Sequence, residues 1–305
     1  MTRVLALLRH PYLLIFVATV LWGLSGIYVK FLGVSVLYLA SLRTLVPVTL
    51  IAGWFFWRGT SLNFRTQPKA VWIASALNAV RTICYFVGFL NLPIAQAIVL
   101  MYTWPIWVVL LEGLFFKVPF ERRQFVLMLV AFVGILIVQG VGFGVPLAPQ
   151  SMMASGFLLV AALSNAIMLL LFRKAHVQLG GVQKVFYQNL IGSVVFLPFL
   201  PMAVSVPYWK TGVAVACAAV IGICGYAFFF SAMRRMRSSK VALLAYFEIL
   251  TNIFWAWLLL NEGVIPRVFL GGALILIAAI FMRHGTEPAS DGIPPQIPTA
   301  SLGGD

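Results

Sequence analysis

Ten runs of about 20 apolar residues, joined by short polar connections, occupy most of this sequence. A transmembrane helix needs roughly 20 predominantly apolar residues. The runs are 12–32, 36–57, 70–90, 94–116, 124–142, 153–173, 184–204, 212–233, 240–260 and 266–283. Only 9% of the residues are charged and 62% are hydrophobic, which leaves too little polar surface to cover a soluble core. The pattern therefore predicts an all-α membrane protein with ten transmembrane helices.

The positive charge of the chain is distributed over the connections between these runs. In a soluble protein a net charge of +14 would suggest a nucleic-acid partner. In a membrane protein, Lys and Arg collect in cytoplasmic loops. If both termini are cytoplasmic, only Lys210 and Arg267 fall in outer segments, whereas Lys30, Arg43 and Arg81 lie within helices. The charges predict N-in and C-in topology, with membrane lipid and no nucleic acid among the partners.

A second copy of one sequence unit follows the first at a fixed distance, so the chain contains an internal repeat. A shift of 144 residues aligns Tyr102 with Tyr246, Trp104 with Glu248, Pro105 with Ile249, Arg123 with Arg267 and Phe125 with Phe269. Five helices per copy is an odd number, so the second copy enters the membrane from the opposite side. Inverted repeats of this kind are common among secondary transporters, whose site lies between the halves near the midplane.

The repeat gives the domain boundaries that we expect. The first five-helix unit covers residues 1–145, and the second, inverted unit covers residues 150–285. Both surround a central cavity. Residues 286–305 are polar and rich in proline, which predicts a disordered cytoplasmic tail.

Several short motifs carry a family resemblance over residues 12–283. Leu21–Ser25 reads Leu-Trp-Gly-Leu-Ser with Lys30 eight residues after the tryptophan, Arg43 opens an Arg-Thr-Leu-Val-Pro stretch, and Tyr-Phe-Glu248 precedes Trp-Leu-Leu-Leu-Asn-Glu262. Together they resemble the EamA type of the drug/metabolite transporter superfamily, and the aromatic-amino-acid exporters of bacterial inner membranes look most similar. Ile249 and Val118 depart from the family's usual proline and glutamate.

The resemblance implies export of a small metabolite by alternating access across the bacterial inner membrane. The charged residues within helices are the first candidates for its site, because a charge at the bilayer centre costs at least about 2.5–3.5 kcal/mol. Glu248 is expected either to bind a substrate amine or carry a proton, or to serve as a structural partner for a buried arginine. Arg81 is expected to hold a substrate carboxylate or to pair with Glu248. Arg43 either snorkels to the outer face or lines a vestibule.

Uncharged side chains deep in the runs complete the candidate site. A deep Tyr or Trp has to place its polar atom on a partner, which favours a cavity wall, and plain helix packing is the equal alternative for each of them. These aromatic candidates are Trp22, Tyr85, Tyr102, Trp104, Tyr226 and Tyr246. Asn78 and Asn165 either bind substrate or join neighbouring helices by hydrogen bonds.

Two further positions are candidates for gating, and one acidic residue is expected to be structural. Pro105 is predicted to kink its helix, with Thr103 satisfying a freed carbonyl. Glu262 is predicted to cap a helix or act in a gate at the outer end. Glu112 is predicted to pair with Lys117 at the inner face.

The sequence lacks the motifs of an energised pump or an enzyme. It has no glycine-rich phosphate loop, no nucleotide motif and no Ser/His/Asp set on loops. Its three cysteines lie in apolar runs without metal-ligand spacing. We therefore expect no metal, no cofactor and no catalytic residue.

The expected function is a secondary transporter that exports amino acids, aromatic ones in particular, or similar metabolites. A flippase or enzyme acting on a lipid-linked substrate is the alternative. A single protomer is expected to be sufficient for transport, and the sequence does not indicate the oligomeric state.

Overall fold

A computed structural model describes residues 10–59, 64, 67–92, 94–116, 121–139, 149–175, 179–260 and 266–283. These residues are helical almost throughout. The α-helices are α1 (Pro11–Leu32), α2 (Val36–Trp57), α3 (Lys69–Asn91), α4 (Ile94–Met101), α5 (Trp104–Phe116), α6 (Arg122–Gln139), α7 (Pro149–Lys174), α8 (Gly181–Phe196), α9 (Tyr208–Ala219), α10 (Tyr226–Met233), α11 (Ser238–Ala245), α12 (Phe247–Leu260) and α13 (Pro266–Arg283). The predicted all-α class is confirmed for this part of the chain. The predicted tail, 286–305, lies outside the described residues.

Several of the predicted apolar runs are not uniform α-helices. The run 184–204 continues α8 as a 3₁₀ helix, Leu197–Ser205, which contains Pro198 and Pro201. The run 212–233 contains a π-helical turn, Val220–Gly225, between α9 and α10. The runs 94–116 and 240–260 are each interrupted near the middle, between α4 and α5 and between α11 and α12. Prolines, which lack a donor N–H, account for the change of helix type after α8.

Length and composition identify membrane-spanning candidates among the described residues. Seven helical runs are long and apolar enough to cross a bilayer. They are Leu37–Trp57, Lys69–Gly88, Ala97–Phe116, Met152–Lys174, Gly181–Met202, Tyr208–Met233 and Ser238–Leu259. Large apolar side chains such as Leu114, Val194 and Phe269 are exposed on the outside of the bundle. Such a surface suits lipid and would be unfavourable in water.

Helix packing follows the internal repeat. In the repeat, α1 corresponds to α7, α3 to the run α9–α10, and the pair α4–α5 to the pair α11–α12. The α3–α7 contact is therefore equivalent to the α1–α10 contact, and the α1–α12 contact is equivalent to the α5–α7 contact. The α2–α8 and α6–α13 contacts each join a helix to its own counterpart. The two copies therefore pack around an approximate two-fold relationship.

Specific contacts fix the direction of neighbouring helices. Helices α3 and α7 are antiparallel, as are α6 and α13, whereas α1 and α12 run parallel. For α3 and α7, Gly88 lies against Leu158, and Leu92 shares an apolar cluster with Ala154. For α6 and α13, Arg123 hydrogen-bonds to Phe281 and Gly134 lies against Gly271. For α1 and α12, Phe16 lies against Phe247 and Trp255 hydrogen-bonds to Val20. Helix α6 and its counterpart in the repeat, α13, thus run in opposite directions.

Glycine permits a close approach between α1 and α12. A Cβ atom at Gly23 would meet the Thr251 hydroxyl, and it would lie 2.9 Å from the backbone nitrogen of Asn252. Thr251 donates a hydrogen bond to the carbonyl oxygen of Thr19 at 2.8 Å across the same contact. Small residues commonly allow such helix contacts in membranes. Gly23 therefore sets the distance between one helix of each copy.

This contact predicts a specific loss of stability. Gly23→Ala should lower the free energy of unfolding in detergent by about 1–3 kcal/mol, because a backbone has to move to admit the methyl group. Gly53→Ala is the matched control, since a Cβ atom there would meet nothing within 4 Å. Denaturant unfolding followed by circular dichroism measures both. Equal behaviour of the two variants would contradict the packing argument.

Candidate functional site

The interruptions in the two copies lie against each other at the centre of the bundle. Tyr102 occupies the gap between α4 and α5, and Tyr246 occupies the gap between α11 and α12. These residues are related by the repeat. The Tyr246 hydroxyl donates to the Tyr102 carbonyl oxygen at 3.1 Å, and the two ring centroids are 6.2 Å apart. A backbone group freed by the first interruption is thus satisfied by a side chain from the second.

The two interruptions have different local causes. Pro105 in the first turn of α5 cannot donate a backbone hydrogen bond to the Met101 carbonyl oxygen, and the Thr103 hydroxyl donates to the neighbouring Leu100 carbonyl oxygen at 2.7 Å. In the second copy Ile249 stands at the equivalent position, yet the helix is still interrupted. There the Ile249 N–H bonds to the Tyr246 carbonyl oxygen at 3.1 Å, a shorter-range bond than an α-helix uses. The second interruption therefore does not require proline.

Glu248 follows the second interruption directly, in the first turn of α12. The positive end of the helix dipole favours a carboxylate at this place. The Tyr102 hydroxyl is a hydrogen-bond partner of Glu248, and Arg43 and Arg81 are its charged neighbours. All three partners come from the first copy. The carboxylate is thus held where the two copies meet, and it does not face lipid.

One tyrosine hydroxyl joins the two arginines. Arg43 Nη2 donates to the Tyr226 hydroxyl at 3.2 Å. The same hydroxyl is a side-chain partner of Arg81, which is 8% exposed and whose Nε atom has no hydrogen-bond partner among the described residues. Arg43 comes from α2, Arg81 from α3 and Tyr226 from the start of α10. The buried Arg81 and the half-buried Arg43 therefore lie close together, with donor capacity left over on Arg81.

Aromatic rings form one wall beside these charges. The Trp22 ring lies 4.8 Å from the Tyr226 ring and 4.9 Å from the Phe229 ring, and the buried Trp104 ring lies 6.5 Å from Phe229. A Cβ atom at Gly225 would lie 2.7 Å from Trp22 Nε1, so glycine is needed where the indole crosses the π-helical turn just before α10. Trp22 Nε1 is itself buried and has no partner among the described residues.

Tyr85 and Asn165 adjoin the same region. Tyr85 is an electrostatic neighbour of both Arg81 and Tyr102. Asn165 lies on α7, where the antiparallel register with α3 puts it level with Arg81, and it is 7% exposed. We define the central cluster as Arg43, Arg81, Tyr85, Tyr102, Tyr226 and Glu248. Each half of the chain contributes to it.

The other predicted site residues have different surroundings. The Asn78 amide donates to the Gln188 carbonyl oxygen at 2.8 Å and thereby joins α3 to α8, which is the structural alternative stated above. Tyr246 is fully buried behind Tyr102. Pro105 and Trp104 begin α5. Glu262 lies outside the described residues.

Glu112 has partners among the described residues that the sequence did not indicate. Lys117 lies outside the described residues, whereas the Glu112 carboxylate accepts hydrogen bonds from the backbone N–H groups of Ser238 and Ser239 at 2.9 and 3.1 Å. Arg173 forms its ion pair. A Ser-Ser pair ahead of an apolar run is a helix-start signal, but nothing in the sequence indicates which carboxylate binds there.

The chemistry of the central cluster is that of binding. Two guanidinium groups can hold a carboxylate, one carboxylate can accept an ammonium group, and tyrosine hydroxyls can bond to either. The flanking aromatic wall suits an apolar substituent. This combination, in a membrane-embedded duplicated bundle, defines a transporter class of protein.

Comparisons with known proteins agree. The model of the EamA-like transporter family matches the chain twice, at residues 10–139 and 152–283. The chain therefore belongs to the EamA-like transporter family of the drug/metabolite transporter superfamily, and it is a multi-pass membrane protein. The two matches cover the two copies that the internal repeat identified.

Individual relatives are more distant. The chain is 24% identical over 234 residues to the pseudopaline exporter CntI of Pseudomonas aeruginosa strain UCBPP-PA14, covering 74% of this chain and 78% of the relative. The same exporter from strain PAO1 is also 24% identical, over 232 residues. These relatives do not single out aromatic-amino-acid exporters. A protein of known crystal structure, 18% identical, superposes with a TM-score of 0.75 over 90% of this chain and 98% of that chain, which speaks for the fold alone.

The shared hydroxyl of the central cluster predicts a stability effect. Tyr226→Phe should lower the free energy of unfolding by about 1–3 kcal/mol, because the buried Arg81 and the half-buried Arg43 lose their common acceptor. Tyr208→Phe is the control, since that side chain is 96% exposed. Thermal denaturation in detergent compares them. A Tyr226 variant as stable as its control would show that the hydroxyl does not hold the arginines.

Proposed function

We propose that this chain is a secondary transporter that exports small zwitterionic metabolites, foremost amino acids with aromatic side chains, across a bacterial inner membrane. The observation that carries the proposal is the central cluster. It holds two arginines and one glutamate from opposite copies of an inverted repeat. An α-amino acid carries one carboxylate and one ammonium group, and this set of charges is complementary to both.

Each part of such a substrate has a partner in the site. Arg81, with its free Nε donor, holds the carboxylate, and Arg43 adds a second positive charge on the other side of Tyr226. Glu248 accepts the ammonium group or carries a proton in exchange. The rings of Trp22 and Phe229 contact the apolar side chain. The exporter names of the relatives support outward transport of a small metabolite.

The proposed transport cycle uses ten membrane crossings with both termini in the cytoplasm. The interrupted pairs α4–α5 and α11–α12 each count as one crossing, as does the run α9–α10. Helices α1, α6 and α13 supply the three crossings that are added to the seven membrane-spanning candidates given above. The antiparallel contacts of α3 with α7 and of α6 with α13 support this alternation. Rocking of one copy against the other would then expose the central cluster to each side in turn.

Reporter fusions test this topology. Alkaline phosphatase fused after residue 146 should be active, because five crossings lead to the outer face, whereas fusions after residue 176 and after residue 283 should be inactive. A fluorescent protein that folds only in the cytoplasm should give the reciprocal pattern. If the fusions after residue 146 and after residue 283 both report the same side of the membrane, an odd number of crossings per copy is contradicted.

Flux into proteoliposomes tests the transport function. Purified protein should catalyse exchange of Phe, Trp, Thr or Met, with rates that depend on an imposed pH gradient. Glu248→Gln should abolish the pH-driven component by removing the only acidic group of the central cluster, while Glu287→Gln, after the last helix, should transport normally. Full, still pH-driven exchange by Glu248→Gln would exclude a proton-carrying role. If the protein transports none of these four amino acids, the proposed substrate class is excluded.

A further inference from the structure

A second group of charges joins the two copies at one end of the bundle. Glu112 lies near the end of α5 and is 4% exposed. Its carboxylate accepts hydrogen bonds from the backbone N–H groups of Ser238 and Ser239, the first two residues of α11. It also forms an ion pair with Arg173 in the last turn of α7. The carboxylate is from the first copy and all of these donors are from the second.

The arginine in this group is held on several sides. Arg173 Nη1 donates to the Ser238 hydroxyl at 2.6 Å as well as to Glu112. Its guanidinium carbon lies 4.7 Å from the centroid of the Phe116 ring. A cation at a helix carboxyl end and an anion at a helix amino end are both favoured by the helix dipoles. The donors are therefore preorganised around a carboxylate.

Weaker contacts surround this group. Glu121 pairs with Arg237, and the Ser239 hydroxyl donates to the Gln124 side-chain oxygen at 2.7 Å. These contacts also connect the two copies, but the Glu121 side chain is 36% exposed, so solvent partly screens its ion pair. At the other end of the bundle, the described contacts between the copies include Lys210 Nζ donating to the Leu32 carbonyl oxygen and the Tyr38–Thr211 hydroxyl pair. Among the described contacts between the copies at these two ends, the buried carboxylate is that of Glu112.

We propose that Arg173, Ser238 and Ser239 form a carboxylate-binding site on the second copy, and that Glu112 of the first copy is its resident ligand. While Glu112 occupies the site, the two copies are latched together at this end. Under the topology proposed above this end is cytoplasmic, so the latch has to release before substrate enters from the cytoplasm. The role in loading rests on the proposed function, whereas the binding site itself is testable without transport.

A small carboxylate should replace the missing side chain when Glu112 is truncated. Glu112→Ala removes the ligand and leaves the two backbone donors and Arg173 in place. Acetate carries the same functional group and fits the space that the side chain vacates. Chloride at the same ionic strength is a single spherical anion and lacks the two oxygens that the paired donors require.

Cysteine labelling of purified protein in detergent measures this directly. Cys84, Cys217 and Cys224 are first replaced by alanine, and Ala242→Cys is introduced, because Ala242 lies in α11 behind the latch and is 1% exposed. Glu112→Ala should raise the rate of maleimide labelling by about tenfold or more, since breaking a buried ion pair destabilises the closed contact strongly. Sodium acetate should restore slow labelling, and sodium chloride at equal concentration should not.

Two control variants isolate the site. Glu121→Ala leaves the carboxylate-binding site filled, so acetate should not change its labelling. The double variant Glu112→Ala with Arg173→Ala should label quickly whether or not acetate is present. If Glu112→Ala does not fold, Glu112→Gln keeps the shape without the charge and should label at an intermediate rate. Labelling of the Glu112 variants at the parent rate, or an equal response to acetate in all variants, would overturn the proposal.

Discussion

The central cluster depends on one constraint, which is that charges buried in a membrane protein need partners. Glu248 begins a helix within the bundle, and its charged neighbours Arg43 and Arg81 come from the opposite copy. The Tyr226 hydroxyl separates the two arginines. Separation of the two copies would leave these charges without partners in a medium that solvates them poorly. The charges therefore both hold the copies together and mark the place where a charged ligand can compete for them.

Duplication explains where this cluster lies, and the differences between the copies explain its chemistry. The interruptions at Tyr102 and Tyr246 are equivalent in the repeat and touch each other near the approximate two-fold axis. Trp104 and Glu248 are likewise equivalent, yet one is a buried ring and the other an acid. A symmetric scaffold thus supports an asymmetric site. Such a site can bind a substrate that is itself apolar on one side and charged on the other.

The sequence predicted much of this arrangement because membrane helices have strong signals. Apolar runs, loop charges and the shift of 144 residues located the helices and the repeat, and the charges within helices identified Arg43, Arg81 and Glu248. The interruption before Pro105 had a visible cause. The interruption at Tyr246 did not, because Ile249 has a normal backbone donor. It became apparent only from the tertiary contact with Tyr102.

Long-range pairing was the part that local patterns did not specify. Asn78 carries the same amide group whether it binds substrate or joins helices, and only its position opposite Gln188 decides between them. Glu112 had several basic residues within reach in the sequence, and Arg173 is its partner because α5 and α7 pack against each other. Choices of this kind are set by helix packing, which a single sequence encodes only indirectly.

The most direct measurement is a structure of the protein determined in the presence of a transported amino acid. The account predicts density for the ligand between Arg81 and Glu248, with its carboxylate at the guanidinium groups and its side chain against Trp22. Density elsewhere in the bundle, with the central cluster unchanged and still closed on itself, would contradict the account.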